Sequence, residues 1–242
     1  MQKKHTEEPI HKQLDYVPTG RSLESGSLPL DILHDRNGTT FLEFDTHSLY
    51  GTMEAKATSE YFTKTGKRPM IIERSASPGI GKFASHTVGD TFSDVASMAQ
   101  SVTSIMADNI AGVPLSGSDI CGTIYDTTPE LCARWHFVGA FYPFSRNHNT
   151  VLTRGQEAYS FANEIYEGST TYLDIMRKAM RIKYHLSTYY QSELTFLHEE
   201  GGAFYKPLFF EFPNDPRSYN DLHLNVMLGS GLKLAIQSNS TT

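Results

Sequence analysis

The stretch Arg74-Ser-Ala-Ser-Pro-Gly-Ile-Gly-Lys-Phe-Ala-Ser-His-Thr-Val-Gly-Asp90 decides how the chain is read. It leaves an apolar run, Met70-Ile-Ile72, opens on a fixed cation and closes on a carboxylate. Gly79, Gly81 and Gly89 lie between, where turns and close backbone approach exclude side chains. An arginine and an aspartate at the carboxyl ends of successive strands stand where an α/β barrel places its chemistry. A surface loop closed by a salt bridge is the other reading. The flanking sequence separates the two.

Upstream, residues 1–40 read as irregular, because Gly20, Gly26, Pro29, Gly38 and scattered charges break any period. From His47 to Lys64, Leu49, Met53, Ala57, Tyr61 and Phe62 keep helical spacing. Gly66 and Pro69 then end that helix before the strand at 70–73. Downstream, a second helix is predicted over about 93–110, with Val95, Met98, Val102, Ile105 and Met106 on one face, and a strand follows at 113–120. A third helix starts near Pro129, with Thr128 as its N-cap, and carries Leu131, Trp135, Val138 and Phe141 inward. Residues 144–149 read as a loop, 169–199 as one long amphipathic helix stopped by Gly201-Gly202, and 207–212 and 226–236 as strands. Strand, loop and helix alternate as in an α/β fold with parallel strands.

The 242 residues suffice for one large domain with a sizeable core. Charged residues at 20% and hydrophobic ones at 39% describe an ordinary globular chain. A net charge of −6, without a Lys/Arg cluster, argues against a nucleic-acid partner. No apolar run reaches the roughly 20 residues a membrane span needs. Met1-Gln-Lys-Lys-His-Thr-Glu-Glu8 is polar, which predicts no secretory leader. The sequons at Asn37 and Asn239 are compatible with a secretory route. Cys121 and Cys132 could be a disulfide or two buried thiols.

Polar residues gather just after the strands: Arg74, then Asp90, then Asp119, with Arg146 and His148 in the next loop. A cation, two carboxylates and a histidine converging on one mouth suit a substrate with several hydroxyls. No Ser-His-Asp set, phosphate loop or metal-ligand spacing is present, so neither metal nor cofactor is expected.

Residues 47–229 resemble the catalytic barrel of glycoside hydrolase family 31, the α-glucosidase family. The blocks that carry the resemblance are His47-Ser-Leu-Tyr-Gly-Thr-Met-Glu-Ala-Lys-Ala-Thr58, Arg74-Ser75 with the loop to Gly89-Asp90, Gly117-Ser-Asp-Ile-Cys-Gly122 and Leu131-Cys-Ala-Arg-Trp135. Gly139-Ala-Phe-Tyr-Pro-Phe-Ser-Arg-Asn-His-Asn149 and Pro207-Leu-Phe-Phe-Glu-Phe-Pro-Asn-Asp-Pro216 continue it in the family's order and spacing. The resemblance implies the second half of a (β/α)8 TIM barrel over 47–222, a connecting segment over 1–46, and the first strand of a C-terminal β-sandwich domain over 223–242. It makes Asp90 the acid/base of a retaining glycosidase that removes terminal α-linked glucose from oligosaccharides. Arg74 and His148 would hydrogen-bond the sugar, Asp119 and Arg146 would support that rim, and Cys121 and Cys132 would form a disulfide. A secretory, lysosomal or extracellular setting goes with the family.

Departures from the family pattern carry their own expectations. A retaining mechanism needs a second carboxylate, and the family's Trp-Ile-Asp-Met-Asn-Glu-like nucleophile block does not occur in this chain. The chain alone is therefore expected to be inactive, and to associate with an N-terminal half-barrel or with itself. Asp45, Glu43 and Asp119 are the carboxylates that could stand in. Thr87, Thr91 and Thr123 replace the Trp, Asn and Phe usual at those positions. Those threonines point to an alternative, a non-catalytic carbohydrate-binding or structural paralogue; a segment separated from an upstream half is a third.

Overall fold

The computed structural model describes residues 28–237. The chain divides into two compact units, Met1–Tyr50 and Gly51–Thr242.

In the first, β1 (Leu33–Arg36) and β2 (Thr39–Leu42) form an antiparallel hairpin where the sequence reads as irregular. Its two-residue turn is Asn37-Gly38, both at positive φ, the arrangement whose twist suits a hairpin. A single turn of helix, α1 (Glu43–Thr46), follows. Glu43 is buried and bonds both the His34 Nε2, at 2.6 Å, and the His47 Nδ1, at 3.0 Å. Those bonds hold its carboxyl below the usual carboxylate range.

The second unit takes up α2 (Tyr50–Lys64) from Gly51 onward. The residues that keep helical spacing are not its buried ones: Met53 and Tyr61 are exposed, and Gly51 and Ala55 are buried. Small residues make this contact because a side chain at Gly51 would strike the Ser75 backbone.

Four parallel strands follow, β3 (Ile72–Glu73), β4 (Ser85–Val88), β5 (Ser116–Ile120) and β6 (Phe144–Asn147), hydrogen-bonded in that order. The crossover between β4 and β5 is α3 (Val95–Ile110), N-capped by Asp94, which accepts from the Ser97 N–H at 2.7 Å. That between β5 and β6 is α4 (Pro129–Gly139), capped by Thr128 with Pro129 in its first turn. Met98, Val102, Ile105 and Met106 of α3 and Leu131, Trp135 and Val138 of α4 are buried with Ile120 of β5, as their spacing predicts, whereas Val95 of the same predicted face is exposed and Phe141, beyond α4, is only partly buried. β6 corrects the expected loop at 144–149. Its sequence, Phe-Ser-Arg-Asn, has no strand signature of its own, and its pairing with β5 (Gly117↔Phe144 to Ile120↔Asn147) makes it a strand.

A short hairpin, β7 (Ile165–Glu167) and β8 (Thr170–Thr171), precedes two helices where one was expected. These are α5 (Tyr172–His185), opened by a Thr171/Asp174 capping box, and α6 (Ser187–Glu200). The chain bends at Leu186, whose N–H is shared by the Ile182 and Lys183 carbonyls. At 207–212 the strand is shorter and earlier than expected: β9 is Tyr205–Pro207, and a 3-10 turn follows. The strand expected at 226–236 is a hairpin, β10 (Asn225–Leu228) and β11 (Leu232–Ala235), folded at Gly229-Ser-Gly231. It joins β9 in a three-stranded antiparallel sheet.

Candidate active site at the carboxyl ends of the parallel strands

The parallel register carries the polar residues to one edge. Arg74 is the first residue beyond β3, Asp90 lies just beyond β4, Asp119 and Arg146 are register partners near the ends of β5 and β6, and His148 follows β6.

The opening loop closes on itself through charge. Arg74 Nη2 donates to Asp90 Oδ2 at 2.8 Å, with the two side chains 49% and 40% exposed. The Asp90 backbone sits in the left-handed region, φ 54°, which a short polar side chain tolerates and which marks strained functional positions. Its N–H donates to Asp119 Oδ2 at 3.3 Å. Gly89 makes that approach possible, since a Cβ there would lie 2.9 Å from Asp119 Oδ2 and 3.7 Å from the Arg74 guanidinium carbon.

Asp119 is wholly buried. Its Oδ2 also accepts from Thr123 Oγ1 at 3.0 Å, and Arg146 Nε lies 3.6 Å from its Oδ1. Oδ1 has no hydrogen bond among the described residues. A buried carboxylate so engaged is a scaffold for Asp90, and unsuited to attack a substrate. Arg74, Asp90, Asp119 and Arg146 thus form one continuous polar chain. His148, two residues after Arg146, is half-buried and is fixed through its carbonyl, which accepts from Gln156 Nε2 at 2.8 Å. The same amide nitrogen reaches the Gly122 carbonyl at 2.8 Å, tying the loops after β5 and β6 together.

Cys121 and Cys132 are disulfide-bonded, Sγ–Sγ 2.02 Å, linking the end of β5 to α4. His136 Nδ1 donates to the Cys132 carbonyl at 2.8 Å, and burial holds that ring neutral. Joined to each other, the two sulfurs offer no thiolate to a metal beside His136.

Sequence reading singled out the five polar residues and missed their supports. Gln156 belongs to no motif, and nothing local announces that it is buried. Thr123 reads as the loss of an aromatic, yet its hydroxyl secures Asp119. The hydroxyls of Thr87 and Thr91 are buried without a hydrogen-bond partner among the described residues.

Residues 4–193 fit the model of the glycosyl hydrolases family 31 TIM-barrel domain. The chain belongs to glycoside hydrolase family 31. Its four parallel strands and their helices are part of that family's TIM barrel. Mouse lysosomal α-glucosidase is 44% identical over 178 residues, 73% of this chain and 18% of the relative. Rabbit intestinal sucrase-isomaltase is 36% identical over 194 residues, 80% of this chain and 10% of the relative. Among solved structures, the glucosidase II α subunit superposes with a TM-score of 0.78 at 26% identity, covering 89% of this chain and 23% of that one. The family 31 chain described here therefore spans about a fifth or less of the length of these relatives. Among its described residues, no helix is long and apolar enough to cross a membrane.

Proposed function

We propose that the chain carries the acid/base side of a retaining α-glucosidase site. Asp90 would protonate the leaving glycosidic oxygen and later take a proton from water, the exchange that retention requires. Arg74 and His148 would grip hydroxyls of the glucose unit at the point of cleavage. Asp119 and Arg146, with Thr123, would hold Asp90 and the rim in register. The observation that carries this reading is the Arg74–Asp90 pair at 2.8 Å, open to solvent on the strand-end mouth of a family 31 barrel. The relatives named above are glucosidases or a sucrase-isomaltase, which supports glucose as the sugar and a terminal α-linkage as the bond.

Retention also needs a nucleophilic carboxylate roughly 5–5.5 Å from the acid. Two of the three stand-ins do not serve: Asp119 is buried under Asp90, and Glu43 is committed to two imidazoles, while Asp45 is exposed on α1 and follows no strand of the parallel sheet. We therefore assign the chain no turnover on its own, and a complementary barrel half as partner. Support comes from the sheet, whose edge strands β3 and β6 have no further neighbour among the described residues.

The test is turnover of an aryl α-glucoside. The purified chain should release no aryl alcohol. Its mixture with a separately produced upstream half of a family 31 barrel should do so, and Asp90→Asn should abolish that gain. Turnover by the chain alone would overturn the missing-nucleophile reading. A second reading, sugar binding without hydrolysis, draws on the three threonines where bulkier residues are usual. It would be favoured by oligosaccharide binding that Arg74→Ala removes, with no turnover in any mixture.

A further inference from the structure

His86 lies in β4, opposite Glu73 of β3 and Ser116 of β5, with the reacting end of the site two residues further along its loop than the strand end. Its ring is nearly buried, the side chain 14% exposed. Nδ1 is 2.9 Å from Oδ2 of Asp108, near the end of α3, and Nε2 is 3.1 Å from the backbone carbonyl of Arg74. Both ring nitrogens therefore face acceptors. A carbonyl never donates, so Nε2 must carry a proton; a carboxylate does not donate either, so Nδ1 must carry one too. Either neutral tautomer would set one lone pair against an oxygen lone pair. Only the imidazolium satisfies both contacts, and an ionised pair of this kind is a strong one.

The Arg74 carbonyl belongs to the residue whose guanidinium reaches Asp90. β3 is only two residues long and lies at the edge of the sheet, so anchoring the backbone just beyond it matters. We propose that His86, as an imidazolium, is a positioning residue: it ties Asp108 to the Arg74 backbone and so sets the Arg74 guanidinium on Asp90. The functional importance of this contact rests on the reading of Arg74 and Asp90 given above, although the contact itself does not.

The charged groups acting on the ring are Asp108 from α3 and Arg74 beyond β3. Glu73 is its register partner, and Ser116, its neighbour in β5, is uncharged. The Asp108 bond raises the ring's affinity for its proton most, burial opposes it, and the Asp108 charge and Arg74 carbonyl add to the rise against the repulsion of the Arg74 cation. The ring's affinity for its proton is raised in the fold, so its anchor is complete below the ordinary histidine value. It is lost as pH rises through the folded-state value, above the ordinary 6.5.

Nitrogen-detected NMR of the whole chain across about pH 5 to 9 tests this. Both His86 nitrogens should show the protonated signature below the ring's midpoint, and that midpoint should lie above the ordinary histidine value. The Arg74 Nε and Asp90 carboxyl signals should shift with the same midpoint. Asp108→Asn should lower that midpoint in both places together, and it keeps the test alive if His86→Gln does not fold. A midpoint at or below the ordinary histidine value, or Arg74 and Asp90 signals that ignore the His86 step, would overturn the proposal. No sugar is present in this experiment, so its failure leaves the glycosidase reading standing, and the failure of sugar binding leaves the clamp standing.

Discussion

Asp119 is the residue on which the site's geometry turns. It is wholly buried, and one oxygen accepts from both the Asp90 N–H and the Thr123 hydroxyl. Thr123→Val keeps the shape and removes a donor from a buried carboxylate, which should cost about 1–3 kcal/mol in denaturant unfolding. Thr123→Ser should recover most of that. Gly89→Ala acts at the same point: its methyl would arrive 2.9 Å from the Asp119 carboxylate and press toward Arg74. We expect it to disturb the Arg74 and Asp90 signals at a cost of about 1–3 kcal/mol in stability, read by NMR and chemical denaturation. At this scale the sequence was informative where chemistry shows through residue type. Arg74, Asp90 and Asp119 are polar residues read at the ends of strands, and Arg146 and His148 share the next polar segment, and that pattern is visible without coordinates. The supports were not visible. Thr123, Gln156 and His86 act through bonds to residues distant in the chain, and a lone threonine, glutamine or histidine carries no local sign of its partner.

At the scale of elements, the helices were legible and the short strands were not. Most of the inward faces of α3 and α4 follow from apolar period, and the cap of α4 follows from Thr128. β6 escaped because Phe-Ser-Arg-Asn has no alternation, and its strand character is imposed by β5. The division of α5 from α6 escaped because Leu186 is neither glycine nor proline. The hairpin turns at Asn37-Gly38 and Gly229-Ser-Gly231 do carry turn residues, but polar flanks around the first and a short apolar run around the second mask the pairing. Gly117 tests the imposed strand directly, since a Cβ there would collide with the Phe144 carbonyl. Gly117→Ala should separate β6 from β5 and cost more than about 3 kcal/mol, with loss of cooperative unfolding by circular dichroism. Lys183 of α5 ties that helix to the end of α4, donating to the Tyr142 carbonyl at 2.7 Å and the Gly139 carbonyl at 3.4 Å. Burial lowers its pKa from 10.5 to about 8. The unfolded chain therefore binds more protons between about pH 8 and 10.5, and this group's contribution to stability rises with pH across that window. Lys183→Met should flatten that slope in pH-dependent unfolding curves; an unchanged slope would remove Lys183 as its source.

At the scale of the molecule, four parallel strands, two crossover helices and a mouth of converging polar residues make a family 31 barrel in part. The family and the fold class could be read from the motif blocks, because their order and spacing survive even where Thr87, Thr91 and Thr123 depart. What the complete barrel does is a property of more residues than this chain shares with its relatives. Edge strands and exposed apolar residues beside them, Met70 before β3 among these, predict self-association or capture of a complementary half. Light scattering at micromolar concentration should show a mass above that of one chain, and a stable monomer would contradict it. The proposal at the centre is narrower: that Arg74, Asp90 and His148 would face a glucose unit. Titrating the isotopically labelled chain with maltose tests it most directly. The account predicts shifts centred on Arg74, Asp90 and His148 that Arg74→Ala abolishes while the fold persists; shifts centred elsewhere, or unchanged by Arg74→Ala, would contradict it.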